Sequence, residues 1–106
     1  MTDALNFDPL LLSQARLGVI SVLVSRRDAT FSDLKELLSL TQGNLNVHLR
    51  KLEDAGYIEV TKEFVDRRPR TTMAITPMGR RAFTEHLEKL NAIANADANA
   101  NGDPAD

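Results

Sequence analysis

Two leucine stripes at helical spacing stand almost end to end in this 106-residue chain. Leu34, Leu37 and Leu38 form the buried face of one helix, and Leu45, Leu49 and Leu52 form that of the next. Only about three residues, around Leu40 and Thr41, separate the two helices, a joint typical of a helix-turn-helix. Ser32 suits the N-cap of the earlier helix, with Asp33 and Glu36 in its first turns. The later one is expected from about Gln42 to Ala55, with Thr41 as its N-cap. Gly56 follows as the C′ glycine, and Tyr57 can fold back on the last turn.

The flanking segments complete the pattern. Asp8 and Pro9 suit an N-cap and first position for a helix over residues 9–26, whose stripe runs through Leu10, Leu17, Ile20 and Val24. Leu11, Val19 and Leu23 widen that stripe enough to serve both a core and a partner subunit. Thr30 and Phe31 can form a very short strand. Ile58, Val60 and Phe64 alternate with polar residues, as do Met73 and Ile75, which reads as a hairpin. Its connecting loop is expected over Val65–Arg70, stiffened by Pro69. Thr76 and Pro77 open a last helix carrying Ala82, Phe83, Leu87, Leu90 and Ile93. Gly79 fits close packing of this helix on the hairpin. The fold class is therefore mainly α with a small β-hairpin, in the order α-α-α-β-β-α with a possible short strand before the second helix. A hairpin placed directly after a helix-turn-helix makes a winged helix. Residues 1–8 read as an N-terminal arm and 9–95 as one domain. Residues 96–106, rich in Ala, Asn and Asp, read as a disordered tail.

Composition narrows the function. There is no cysteine, which excludes disulfides, thiolate metal sites and cysteine nucleophiles. Apolar runs such as Val22–Leu23–Val24 are too short to span a membrane, and the N-terminus lacks a signal-peptide pattern. A soluble, cytoplasmic protein is the expectation. No glycine-rich phosphate loop or nucleophile elbow occurs, so an enzyme is not expected. No His or carboxylate spacing supports a metal, and no cofactor is expected. His48 sits at the border of the core face, where a hydrogen bond to backbone is expected. His86 lies on the last helix, with Glu85 and Glu88 nearby.

Charge is distributed unevenly. The formal net charge is −2, from 13 bases and 15 acids. Asp3, Asp8, Asp97, Asp103 and Asp106 sit in the termini, and setting these five aside leaves 13 bases against 10 acids for residues 9–94. Between Lys62 and Arg81, six bases face two acids. Local positive charge of this kind is the electrostatic footprint of a nucleic-acid partner. On the third helix, the face opposite the leucines presents Gln42, Gly43, Asn44, Asn46, Val47 and Arg50. Amide and guanidinium side chains can make bidentate contacts to base edges, and Val47 can meet a thymine methyl. Gly43 allows the backbone close to a phosphate. Arg67, Arg68 and Arg70 in the hairpin loop are placed to grip phosphates or enter a minor groove.

The stretches NLNVHLRKLEDAGYIEV and RRPRTTMAITPMGRRAF resemble the winged-helix regulators of the MarR and ArsR type. They are most similar to the small stand-alone winged helix DNA-binding domain group, over about residues 10–90. The resemblance implies a dimeric, sequence-specific transcription factor that binds double-stranded DNA. It gives base reading to Asn44, Asn46, Val47 and Arg50, and the wing contacts to Arg67, Arg68 and Arg70. Larger regulators of that type carry longer flanking helices around a ligand pocket, so a small-molecule effector is left open. A homodimer is expected through Leu10, Leu11, Leu87, Leu90 and Ile93, on the first and last helices. The alternative is a winged-helix adaptor that binds proteins and not DNA.

Overall fold

The computed structural model describes residues 6–101, with side chains through residue 96. Its elements are a 3-10 turn Pro9–Leu12, helix α1 Gln14–Arg26, strand β1 Asp28–Thr30, α2 Phe31–Leu38, α3 Gln42–Asp54, β2 Ile58–Val65, β3 Arg68–Ile75 and α4 Pro77–Asn101. The three strands form an antiparallel sheet in the order β1-β3-β2. The architecture is a winged helix.

The helix expected over residues 9–26 is interrupted at Ser13. Asp8 caps the 3-10 turn by accepting from the Leu10 amide at 3.0 Å. Ser13 Oγ caps α1 by accepting from the Arg16 amide at 3.2 Å. Two capping side chains in quick succession each satisfy an orphan donor, so the chain starts a helix twice. Val19, Ile20 and Leu23 of α1 are fully buried, and α1 touches the other three helices, β1 and β3.

Helix α2 begins two residues earlier than Ser32 implies. Thr30 is its N-cap: Oγ1 accepts from the Asp33 amide at 3.1 Å, and the Asp33 carboxylate accepts from the Thr30 amide at 3.4 Å. This reciprocal capping box satisfies both amides, which Ser32 does not. The short strand accordingly falls at Asp28–Thr30, with Ala29 opposite Met73. Leu34 is buried, but Leu37 is 52% exposed and does not join the core as expected. A helix of barely two turns meets the core along one line, through Leu34 and Leu38, and Leu37 lies about 100° away from Leu38.

Helix α3 follows its sequence signals closely. Thr41 Oγ1 accepts from the Asn44 amide at 3.1 Å, and Leu45, Leu49 and Leu52 are buried. Its end is a Schellman motif, with the Gly56 amide donating to Glu53 O at 2.9 Å and the Tyr57 amide to Leu52 O at 3.0 Å. Gly56 takes the required positive φ of 82°.

The hairpin is more regular than expected. The anticipated loop Val65–Arg70 is mostly strand, and only Asp66 and Arg67 turn the chain, with φ of 52° and 66°. Two successive left-handed residues make a two-residue turn whose twist matches the strands. Pro69 sits beyond the part of β3 that β1 covers, where an open edge tolerates it. Thr76 Oγ1 then accepts from the Gly79 amide at 3.0 Å and donates to Gly56 O at 2.6 Å. Helix α4 reaches Asn101, so residues 96–101 are helical where a disordered tail is expected. Extending a helix already anchored to a core needs no new nucleus, and alanine favours it. The rest of the expected tail, and residues 1–5 of the expected arm, lie outside the described residues.

Gly79 is where α4 meets the end of α3. A Cβ there would lie 2.2 Å from Tyr57 O, whereas one on Gly43 would meet nothing within 4 Å. Alanine in a helix normally stabilises over glycine by up to about 1 kcal/mol. Gly43→Ala should therefore be neutral or mildly stabilising. Gly79→Ala should reverse the sign and destabilise by roughly 2–3 kcal/mol, as overpacked sites do. Urea denaturation of the two variants checks this.

Candidate nucleic-acid interface

Burying the leucine stripe of α3 leaves its other side in solvent. Gln42, Gly43, Asn44, Asn46, Val47 and Arg50 are all exposed, as are Lys51 and Asp54. The buried stripe fixes the rotation of α3, so its polar face cannot turn inward without exposing three leucines. Each leucine would lose about 1.5–3 kcal/mol of burial.

Between α3 and the β2–β3 ribbon lies an open cleft of about 1140 Å³. Gln42, Asn46, Val47 and Arg50 line it from the helix. Lys62, Val65, Arg68, Pro69 and Arg70 line it from the ribbon. The structure thus brings four of the expected helix residues together with two of the three expected arginines. Gly43 and Asn44 remain exposed on the first turn of α3 outside that lining, and Arg67 occupies the turn at the ribbon's end. Lys51, which flanks the same face of α3, also lines the cleft, as does Lys62, which was not named as a site residue although the alternation of β2 could have found it beside Val60. Glu53 and Asp54 also line it from α3 and offset Arg50 and Lys51, so the net positive charge of the lining comes from the ribbon.

Arg67 is held at φ 66°. Glycine is the unstrained residue there, and a left-handed conformation costs another residue about 1 kcal/mol. An arginine kept at that cost places a guanidinium at the outermost point of the wing.

One contact ties the N-terminal segment to α3. Arg16 Nε donates to Leu10 O at 2.9 Å, and Arg16 Nη1 lies 3.1 Å from His48 Nδ1. Guanidinium can only donate, so Nδ1 must accept and the imidazole is neutral in this arrangement. His48 thus bonds to a side chain and not, as expected, to backbone. Its pKa lies below the ordinary value, through burial first and then the charges of Arg16 and Lys51. Near the other end of α3, the Tyr57 hydroxyl donates to Asp8. Burial and then that bond push the Tyr57 pKa up to about 12.

The residues expected at a dimer contact are spread differently from the expectation. Leu11 is 1% exposed and belongs to the monomer's own core, because the 3-10 turn rotates it inward. Its neighbour Leu12 is 64% exposed instead. Leu87 and Leu90 are exposed on α4, while Leu10 and Ile93 are half-buried. His86 is 5% exposed, and its ring is tilted against Phe7 with centroids 5.4 Å apart.

The family model described as winged helix DNA-binding domain matches residues 15–94. An uncharacterised protein of Methanocaldococcus jannaschii is 37% identical over 78 residues, which are 74% of this chain and 85% of that protein. A transcriptional regulator homologue from Pyrococcus horikoshii is 34% identical, with a TM-score of 0.82 over 91% of this chain and 97% of its own. A MarR mutant from E. coli, solved with operator DNA, shares the fold at a TM-score of 0.66 and 23% identity, covering 77% of this chain and 58% of that one.

The neutral His48 gives a pH prediction. A depressed folded-state pKa means that the unfolded chain binds the proton more readily, so its contribution to stability is present above the unfolded value and lost as pH falls below it. The urea midpoint should fall between pH 7 and pH 5, and His48→Gln should flatten that fall. Equal slopes for the two proteins would refute the neutral assignment. The buried Leu45–Leu49–Leu52 stripe, the exposed amide face beside a basic wing and the family match over residues 15–94 agree, and the chain belongs to the winged helix DNA-binding domain family.

Proposed function

We propose that this protein is a transcriptional regulator that binds double-stranded DNA in a sequence-specific manner as a homodimer. The observation that carries the reading is the shared cleft, where the amide and guanidinium face of α3 adjoins a ribbon bearing Lys62, Arg68 and Arg70. Helix α3 enters a major groove, with Asn44, Asn46, Val47 and Arg50 toward base edges. Gln42 and Gly43 lie against the flanking backbone. The wing, with Arg67, Arg68 and Arg70, follows the backbone into the adjacent minor groove. A cytoplasmic location and the absence of catalysis go with this role. No small-molecule effector is needed for it.

The homodimer rests on apolar surface. Leu12, Leu87 and Leu90 are each more than 40% exposed, and all lie on the terminal elements. Helix α4 adds reach, in a molecule with extents of 65 × 23 × 22 Å. Two copies joined through these residues, with Leu10 and Ile93 at the margin, present two α3 helices to half-sites about one helical turn apart. The double variant Leu87→Glu, Leu90→Glu should sediment as a monomer at concentrations where the wild-type chain is a dimer, with its circular dichroism unchanged.

Binding assays separate the two faces. Arg50→Ala should relax discrimination among duplexes selected from a random pool. Arg68→Ala should weaken binding to all duplexes alike and reduce the salt slope by roughly one unit. Fluorescence anisotropy measures both. Wild-type chain that shows no salt-dependent retention on random duplex would instead mark the protein as an adaptor.

A further inference from the structure

Beyond the pair Val60–Met73 the ribbon leaves the body of the protein, and every residue from 61 to 70 is exposed. Phe64 lies on this free ribbon and is 77% exposed, more than any other large apolar side chain among the described residues. The body of the domain gives it no partner. Pro69 stands directly opposite it on β3.

The register decides which way this pair faces. Directly opposed residues share a sheet face, and faces alternate along each strand. Ile58, Val60, Lys62 and Phe64 therefore share a face with Ile75, Met73, Thr71 and Pro69. Met73 and Ile58 on that face are buried in the core, whereas Lys62, Thr71 and Pro69 line the cleft beside α3. Arg68 and Arg70 pair with Val65 and Glu63 at the alternate positions of the ribbon, and both also border the cleft. Phe64 stands one step beyond the lining residue Lys62 and opposite the lining residue Pro69, so a ligand seated on α3 and running out along the ribbon meets the apolar pair flanked by the guanidinium groups of Arg68 and Arg70, with Arg67 at the tip.

The geometry points to Phe64, backed by Pro69, as a wedge that inserts at a base step in the minor groove flanking the α3 contact, while Arg67, Arg68 and Arg70 hold the neighbouring phosphates. This deepens the duplex-binding reading above and rests on it. Apolar side chains that enter a minor groove partly unstack a step and bend and untwist the duplex. Charge selects nucleic acid over an apolar protein surface as the occupant: the ribbon from Lys62 to Arg70 carries four bases and two acids, Glu63 and Asp66.

The test uses the full chain and two probes: a random-sequence 30-base-pair duplex, and a relaxed closed circular plasmid with topoisomerase I present. Wild-type protein should change the plasmid's linking number. Phe64→Ser should abolish that change at matched occupancy and weaken duplex binding roughly tenfold, the scale of losing one apolar contact to a base. Its salt slope should be unaltered, because no charge is removed. Phe64→Trp should retain both effects. Phe64 is exposed, so the serine variant should keep the wild-type circular dichroism. If Phe64→Ser binds and unwinds like wild type, the wedge is refuted while duplex binding stands. A loss of salt slope together with affinity would refute the wedge, because the side chain would then act by holding the arginines in place. Absence of salt-dependent duplex binding by wild type would refute the wedge and the DNA reading together.

Discussion

The burial of Leu45, Leu49 and Leu52 is the constraint from which the rest of this molecule follows. A helix is a rigid rod whose side chains point in fixed directions. Once three leucines are committed to the core, the residues between them are committed to solvent. The local signals at each end hold that commitment: the Thr41 cap sets where α3 starts, and the Schellman motif at Gly56 sets where it stops. A helix slipped by one residue would lose both. The exposed amide and guanidinium face of α3 is thus specified by the stability of its opposite face.

The sheet does the same for the wing. Pairing of β1 with β3 and of Ile58 and Val60 with Ile75 and Met73 anchors the base of the ribbon in the core. Everything beyond is held by strand pairing alone. A two-stranded ribbon is only marginally stable in water by itself, so its anchored base and its tight turn must carry it. That division suits a part that meets a partner, since it can adjust without disturbing the core.

Much of this was legible in the sequence, and the exceptions have identifiable causes. The α3 boundaries, its buried stripe, the Gly56 stop, the Thr76–Pro77 start and the close approach at Gly79 were all readable, because each has a local chemical cause. Competing caps hid the break at Ser13 and moved the start of α2 to Thr30. Sequence alone ranks Ser, Thr and Asp caps almost equally, and only the register of the following turn decides. The hairpin loop was overestimated because arginines and a proline read as a loop, whereas the pairing of Val65 with Arg68 extends the strands to the turn. Leu11 looked available to a partner because the rotation imposed by a 3-10 turn is invisible in a helical wheel. The alternation that separates Phe64 from the arginines was present in the sequence, but it has meaning only once the register is known.

Thr76 and its neighbours join three elements at one point. Its hydroxyl bonds the end of α3 through Gly56 O, its amide bonds Tyr57 O, and the first turn of α4 rests on the same carbonyl at Gly79. The end of α3 and the start of α4 are therefore joined as two arms with Thr76 at the elbow. In an assembly held together by the long arms, the angle between them becomes a ruler for the distance between the short ones.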